Sequence, residues 1–151
     1  MAARFHFGLE RVRELRVHDE DQAKEQFAAS LSHRAQGEAM LRAAEHQLAK
    51  ARREHGAGAT GAPLSGAELV AHQAYVERLE RSRRDAVVEL TQRDDRLEGD
   101  RAHLMRASQE REVLDQLKDR QRTAHMRKAE LAERAEIDDI ATQNHVRRHA
   151  A

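Results

Sequence analysis

The sequence predicts an all-α protein: two long helices in an antiparallel coiled-coil hairpin, the second longer than the first and overhanging it. Three observations carry this reading. The only proline, Pro63, and four of the seven glycines (Gly56, Gly58, Gly61 and Gly66) fall between His55 and Ala67, and these residues are the strongest local breakers of regular structure. Apolar residues on both sides recur at steps of three, four and seven, the periodicity of one helical face. The composition is also that of a coiled coil: 36% charged and only 3% aromatic, with no tryptophan. Such a chain cannot fill a thick globular core, and its charged, alanine-rich, leucine-spaced sequence suits long helices.

The chain reads as a single domain over 1–151, with helix 1 at about 3–55, a turn at 56–65 and helix 2 at about 66–147. In helix 1, Phe5, Leu9, Val12 and Leu15, then Ala23, Phe27 and Leu31, then Leu41, Ala44, Leu48 and Ala51 trace an apolar face. The register blurs between Arg16 and Gln22, and Gly37 weakens the helix by about 1 kcal/mol relative to alanine. The turn ends at Ser65, with Glu68 three residues on. That spacing is a capping box, in which the serine hydroxyl and the glutamate side chain satisfy each other's backbone amides.

Helix 2 carries a seven-residue grid: Leu69, Val76, Leu90, Leu97 and Leu104, with Arg83, Arg111 and Lys118 in its gaps. A second row is offset by three: His72, Leu79, Ala86, Arg93, Asp100, Ala107 and Leu114. A sustained heptad of this kind is the coiled-coil signal. Its charged members are poor substitutes for leucine, so their stems are expected to snorkel along the seam. At about 1.5 Å per residue the helices span roughly 75 and 120 Å. Folding about the glycine cluster sets Leu41 against Leu79, Leu48 against Tyr75 and Val76, Phe27 against Leu97, and Leu9 against Leu114. Helix 1 then runs out near Lys118, leaving Asp119–Ala151 without an intrachain partner.

Function classes narrow in the same way. The 27 basic and 27 acidic residues cancel and are interleaved, without the basic patch of a nucleic-acid binder or the basic amphipathic face of a membrane-surface helix. No apolar run approaches the ~20 residues of a membrane span. Met1–Glu10 lacks a signal peptide's apolar stretch, which leads us to expect the cytoplasm. The chain has no cysteine, excluding thiolate and disulfide chemistry. His145 and His149 share a helical face, but no third ligand accompanies them, and catalytic zinc takes three. Gly56–Gly61 lacks the Lys-Ser or Lys-Thr of a phosphate loop. Carboxylates need a shaped enclosure to shift their pKa values for catalysis. We therefore expect no catalytic residue, metal or cofactor, and no enzyme. Tyr75 and Leu79, four apart, read either as a seam residue with its flank or as an exposed docking pair, tyrosine being enriched at interface hot spots.

The opening Arg4-Phe-His-Phe-Gly-Leu-Glu-Arg-Val-Arg-Glu-Leu-Arg16 resembles the start of the flagellar export protein FliJ family: aromatic-x-aromatic, then Leu-Glu-x-Val-x-x-Leu-Arg. Tyr75-Val-Glu-Arg-Leu-Glu80, Arg111-Glu-Val-Leu-Asp-Gln-Leu-Lys-Asp-Arg120 and Glu136-Ile-Asp-Asp-Ile-Ala141 follow in the family's order. The resemblance implies a non-enzymatic coiled-coil stalk and adaptor of the flagellar type III export apparatus, serving flagellum biogenesis, motility and chemotaxis. It implies that the end carrying both termini inserts into the export ATPase hexamer, regulating it through Leu9, Arg11, Arg13, Arg16, Leu131, Ile137 and Ile140. It implies that the hairpin tip binds the cytoplasmic domain of the membrane export gate through Tyr75 and Leu79, with Leu48 and Leu41 opposite. Export chaperones are further implied partners, and the implied location is cytoplasmic, peripheral to the inner membrane at the flagellar base without insertion. The rival reading, from another class, is a self-associating coiled-coil scaffold.

Overall fold

The computed structural model describes residues 4–57 and 65–149. They form two helices, α1 (Glu10–Ala57) and α2 (Gly66–His149), and no strand among the described residues. The fold is the antiparallel helix pair. Gly58, Gly61 and Pro63 lie outside the described residues. Contacts divide the chain into two compact units, one of Met1–Glu20 with Arg106–Ala151 and one of Asp21–Met105; both helices run continuously through both.

Helix 1 was expected from about residue 3 but starts at Glu10. Gly8 is a poor helix former, and the first helical amide is instead caught by a turn, Glu10 N–H donating to the Phe7 carbonyl at 3.2 Å. At α2 the capping box forms. Glu68 N–H donates to Ser65 Oγ at 3.3 Å, and Ser65 N–H to Glu68 Oε2 at 2.8 Å. Ser65 N–H, with the serine hydroxyl behind it, holds the Glu68 carboxyl below its usual range, since hydrogen bonds to a carboxylate favour its charged form.

The seam of α2 follows the heptad grid. From His72 to Lys118 every position of the two rows is buried or half-buried. In α1 the seam is as regular: it keeps the expected Ala23, Phe27, Leu41, Ala44, Leu48 and Ala51, and its other positions are filled by polar residues and Gly37. Arg13, Glu20, Phe27, Arg34, Leu41 and Leu48 form one row, and Arg16, Ala23, Ser30, Gly37, Ala44 and Ala51 the other, all buried or half-buried. Leu9, Val12, Leu15 and Leu31, expected on the inner face, are exposed. The strict three–four alternation of packing overrides the local apolar choice, and no register break occurs between Arg16 and Gln22.

The polar seam residues are matched across the helices. In the unit Asp21–Met105, Arg34 bonds Asp94 at 2.5 Å, Arg52 bonds Glu80 at 2.6 Å, and the Ser30 hydroxyl bonds Asp100. Arg93 donates to the His33 carbonyl at 2.6 Å. Gly37 makes room for that crossing: a Cβ there would lie 2.9 Å from Arg93 Cδ and 3.3 Å from Leu90 Cδ1. In the other unit, Arg111 bonds the buried Glu20 and also Asp115.

These pairs correct the expected register. Folding about the glycine cluster put Arg34 near Val88 and Ser30 near Gln92; the observed partners lie about one heptad further along α2. A slip of seven residues returns every a and d position to the seam, so apolar spacing alone cannot separate the two registers. The polar residues do, because the expected register sets Glu20 opposite Ala102, between Asp100 and Leu104 of the two rows, and the observed one sets it on Arg111. Gly66–Ala71 are exposed throughout, Leu69 among them.

Candidate functional site

Among the described residues the concave surfaces are shallow and open, and two surfaces carry the residues singled out by sequence. In the unit Asp21–Met105, the start of α2 offers Leu69, Val70 and Tyr75 to solvent. The Arg78 guanidinium sits 5.9 Å from the Tyr75 ring centroid, within reach of a cation–π contact. Arg52, Leu69, His72, Gln73 and Val76 line a shallow groove beside it. Of the four residues singled out here by sequence, only Tyr75 faces outward. Leu79 and Leu41 are half-buried in the seam, and Leu48 is 5% exposed. Leu69 and Val70 were missed as surface residues, and the heptad register is the signal that would have found them.

The second surface belongs to the unit Met1–Glu20 with Arg106–Ala151. Residues 4–7 are not helical and lie along α2. Phe7 is buried, and the Phe5 ring meets His125 with centroids 5.7 Å apart and planes at 58°. Phe5 at His125 and Glu10 at Lys118 set the two ends of this segment about two turns of α2 apart. The expectation that α2 lacks an intrachain partner from Asp119 onward is corrected accordingly: half-buried positions continue to His125 and Ala129.

Charges are densely paired around this arm. Lys118 bonds Glu10 at 2.7 Å and Arg16 bonds Glu110 at 2.8 Å. Arg13 bonds Asp115 at 2.5 Å and Glu10 at 3.3 Å. The Arg13 hydrogen bond, with Arg111 behind it, holds the Asp115 carboxyl low, and Lys118 does the same for Glu10. Arg13 and Arg111 are shifted up in turn by Asp115 and Glu20 respectively. Among the sequence candidates, Leu9 and Arg11 are exposed and Arg13 and Arg16 are half-buried in ion pairs. Beyond Ala129 the helix is bare: residues 130–149 are exposed throughout, with Leu131 at 63%, Ile137 at 59% and Ile140 at 53%.

The family model described as "Flagellar FliJ protein" matches residues 5–150. The chain belongs to the flagellar FliJ family. FliJ membership makes it a component of the flagellar export apparatus, and the family is non-enzymatic. No curated protein and no solved structure matches the chain. Among the described residues of this FliJ-family chain, no helix is long and apolar enough to cross a membrane. No group of three metal-ligating side chains occurs among them either. The His145 and His149 rings lie 4.1 Å apart, with His149 Nδ1 3.0 Å from the His145 carbonyl oxygen.

Proposed function

We propose that this protein is the stalk and adaptor of the flagellar type III export apparatus, working without catalysis of its own. Its terminal unit enters the export ATPase hexamer, and the start of α2 meets the cytoplasmic domain of the membrane export gate. Export chaperones dock on the same protein, which sits in the cytoplasm at the inner face of the flagellar base. The observation that carries the reading is the bare helix after Ala129, joined to the unit that holds both termini. A helix with exposed Leu131, Ile137 and Ile140 and no intrachain cover is suited to be gripped by a surrounding ring.

Within that reading, Leu131, Ile137 and Ile140 make the ATPase contact together with the exposed Leu9 and Arg11. Arg13 and Arg16 act from behind, since their ion pairs with Asp115 and Glu110 orient the start of α1. At the gate, Tyr75 makes the contact, and Leu79, Leu41 and Leu48 hold its helix in place from the seam. The test is ATP turnover by the cognate export ATPase with and without added protein. The full chain should stimulate turnover, and a chain ending at Arg134 should not, while gate binding persists. Equal stimulation by the shortened chain would overturn the assignment of the terminal unit. Gate binding by Tyr75→Ala should fall with helicity unchanged.

A further inference from the structure

Charge falls into two blocks of opposite sign over residues 120–139 of α2, the first bordering the Phe5 contact at His125 and the second in the bare part. Residues 120–129 contain Arg120, Arg122, Arg127 and Lys128 and no acidic residue. Residues 130–139 contain Glu130, Glu133, Glu136, Asp138 and Asp139, with Arg134 as the only base. Elsewhere the two signs are interleaved, and several pairs close across the helices. Among the described residues, no ion pair involves a side chain beyond Lys118. Exposed Met126, Leu131 and Ile137 lie in the same two blocks, and exposed Ile140 follows them directly.

We infer that this stretch of α2 is a self-association surface whose occupant is a second copy of the same stretch, laid antiparallel. The charge order selects both partner and direction. Antiparallel about a two-fold axis near Glu130, each basic block lies on the other copy's acidic block. In parallel, like charges face each other, which opposes association. A two-fold interface uses one patch on both copies, and a basic block followed by an acidic block of equal length is such a patch. The paired stretch is about 30 Å long, and it is held by the opposed charges along it. The inference requires no ring and no gate, but it uses the stretch assigned above to the ATPase contact, so the two occupants exclude one another on a given copy.

The test uses the full chain. Light-scattering mass across a concentration series should rise from the 17.2 kDa monomer to twice that value at low salt. It should return to the monomer near 1 M salt, where the screening length is about 3 Å. Arg127→Glu with Lys128→Glu should remain monomeric, as should Glu133→Lys with Glu136→Lys, and an equimolar mixture of the two variants should regain the doubled mass. Both variants alter exposed residues, and unchanged helicity would show that they fold. Direction is read by single cysteines, since the chain has none of its own. Leu131→Cys should form a disulfide-linked dimer, and Val146→Cys should not. A monomer at every concentration and salt overturns the inference, and so does cross-linking through Val146→Cys, which marks parallel pairing.

Discussion

Leu48 separates a seam residue from a docking residue, and Leu48→Ala reads the difference directly. The side chain is 5% exposed, on a row with Leu41 and Arg34. Truncation to alanine removes three carbons, at about 0.8 kcal/mol per buried methylene, so the transfer loss is about 2.4 kcal/mol. A cavity would add to this in a closed core, but a two-helix seam is open at its flanks and can close over the gap, so the expected loss stays near 2–3 kcal/mol. For a chain of this size 1 kcal/mol moves the melting temperature by about 2–4 °C. Leu48→Ala should therefore melt about 5–10 °C lower, followed by the helical signal at 222 nm. Tyr75→Ala, altering a side chain that is 43% exposed, should stay within about 0.5 kcal/mol of the parent. If Leu48→Ala melts with the parent and instead loses gate binding, the seam described here is wrong at that position.

Further outcomes follow from the ion pairs. Asp115, Glu10 and Glu68 are all held below their ordinary values, by Arg13, Lys118 and the Ser65 amide respectively. Carboxyls with depressed folded-state pKa values bind protons more tightly in the unfolded chain. Their contribution is complete above the unfolded values near 4 and is lost as pH falls through the lower folded values. The melting temperature should drop between about pH 5 and pH 2, and Asp115→Asn should shrink that drop; a flat profile would contradict the pairing. Glu20→Ala leaves Arg111 without its buried acceptor and should melt lower than Glu20→Leu with Arg111→Leu, which replaces both charges with apolar volume. The reverse order would refute the register. Phe7→Ala should expose the arm and raise amide exchange at Phe5–Leu9, while α2 near Leu97 is unaffected; unchanged exchange in the arm would show that the buried Phe7 ring does not hold it.

Much of this was legible in the residues, and what was not has a physical cause. The helix pair followed from the confinement of breakers to one place. The α2 grid was readable because Val76, Leu90, Leu97 and Leu104 mark it outright. In α1 the seam was legible at Ala23, Phe27, Leu41, Ala44, Leu48 and Ala51 and hidden between them, since Arg13, Glu20, Ser30, Arg34 and Gly37 hold inner positions while Leu15 and Leu31 are exposed. Apolar spacing registers side-chain type, and here type and burial part company wherever a cross-helix ion pair takes the place of an apolar contact. The register slip has the same origin: heptads repeat, and only Glu20, Ser30, Arg34 and their partners break the degeneracy. The arm is not legible because Phe5 falls at helical spacing from Leu9, whereas residues 4–7 are not helical and Phe7 is the buried member. At the tip, the exposed Tyr75 was among the candidates, but the exposure of Leu69 and Val70 depended on the register.

The most direct test of the central claim is amide hydrogen exchange along α2, for the protein alone and with the assembled export ATPase hexamer. Unpacked helix opens at low free-energy cost, so residues 130–149 should exchange fast in the free protein and slowly in the complex, while Leu97–Leu114 are slow in both. Fast exchange at 130–149 in a complex that has demonstrably formed, with new protection appearing instead at Gly66–Leu79, would contradict the account.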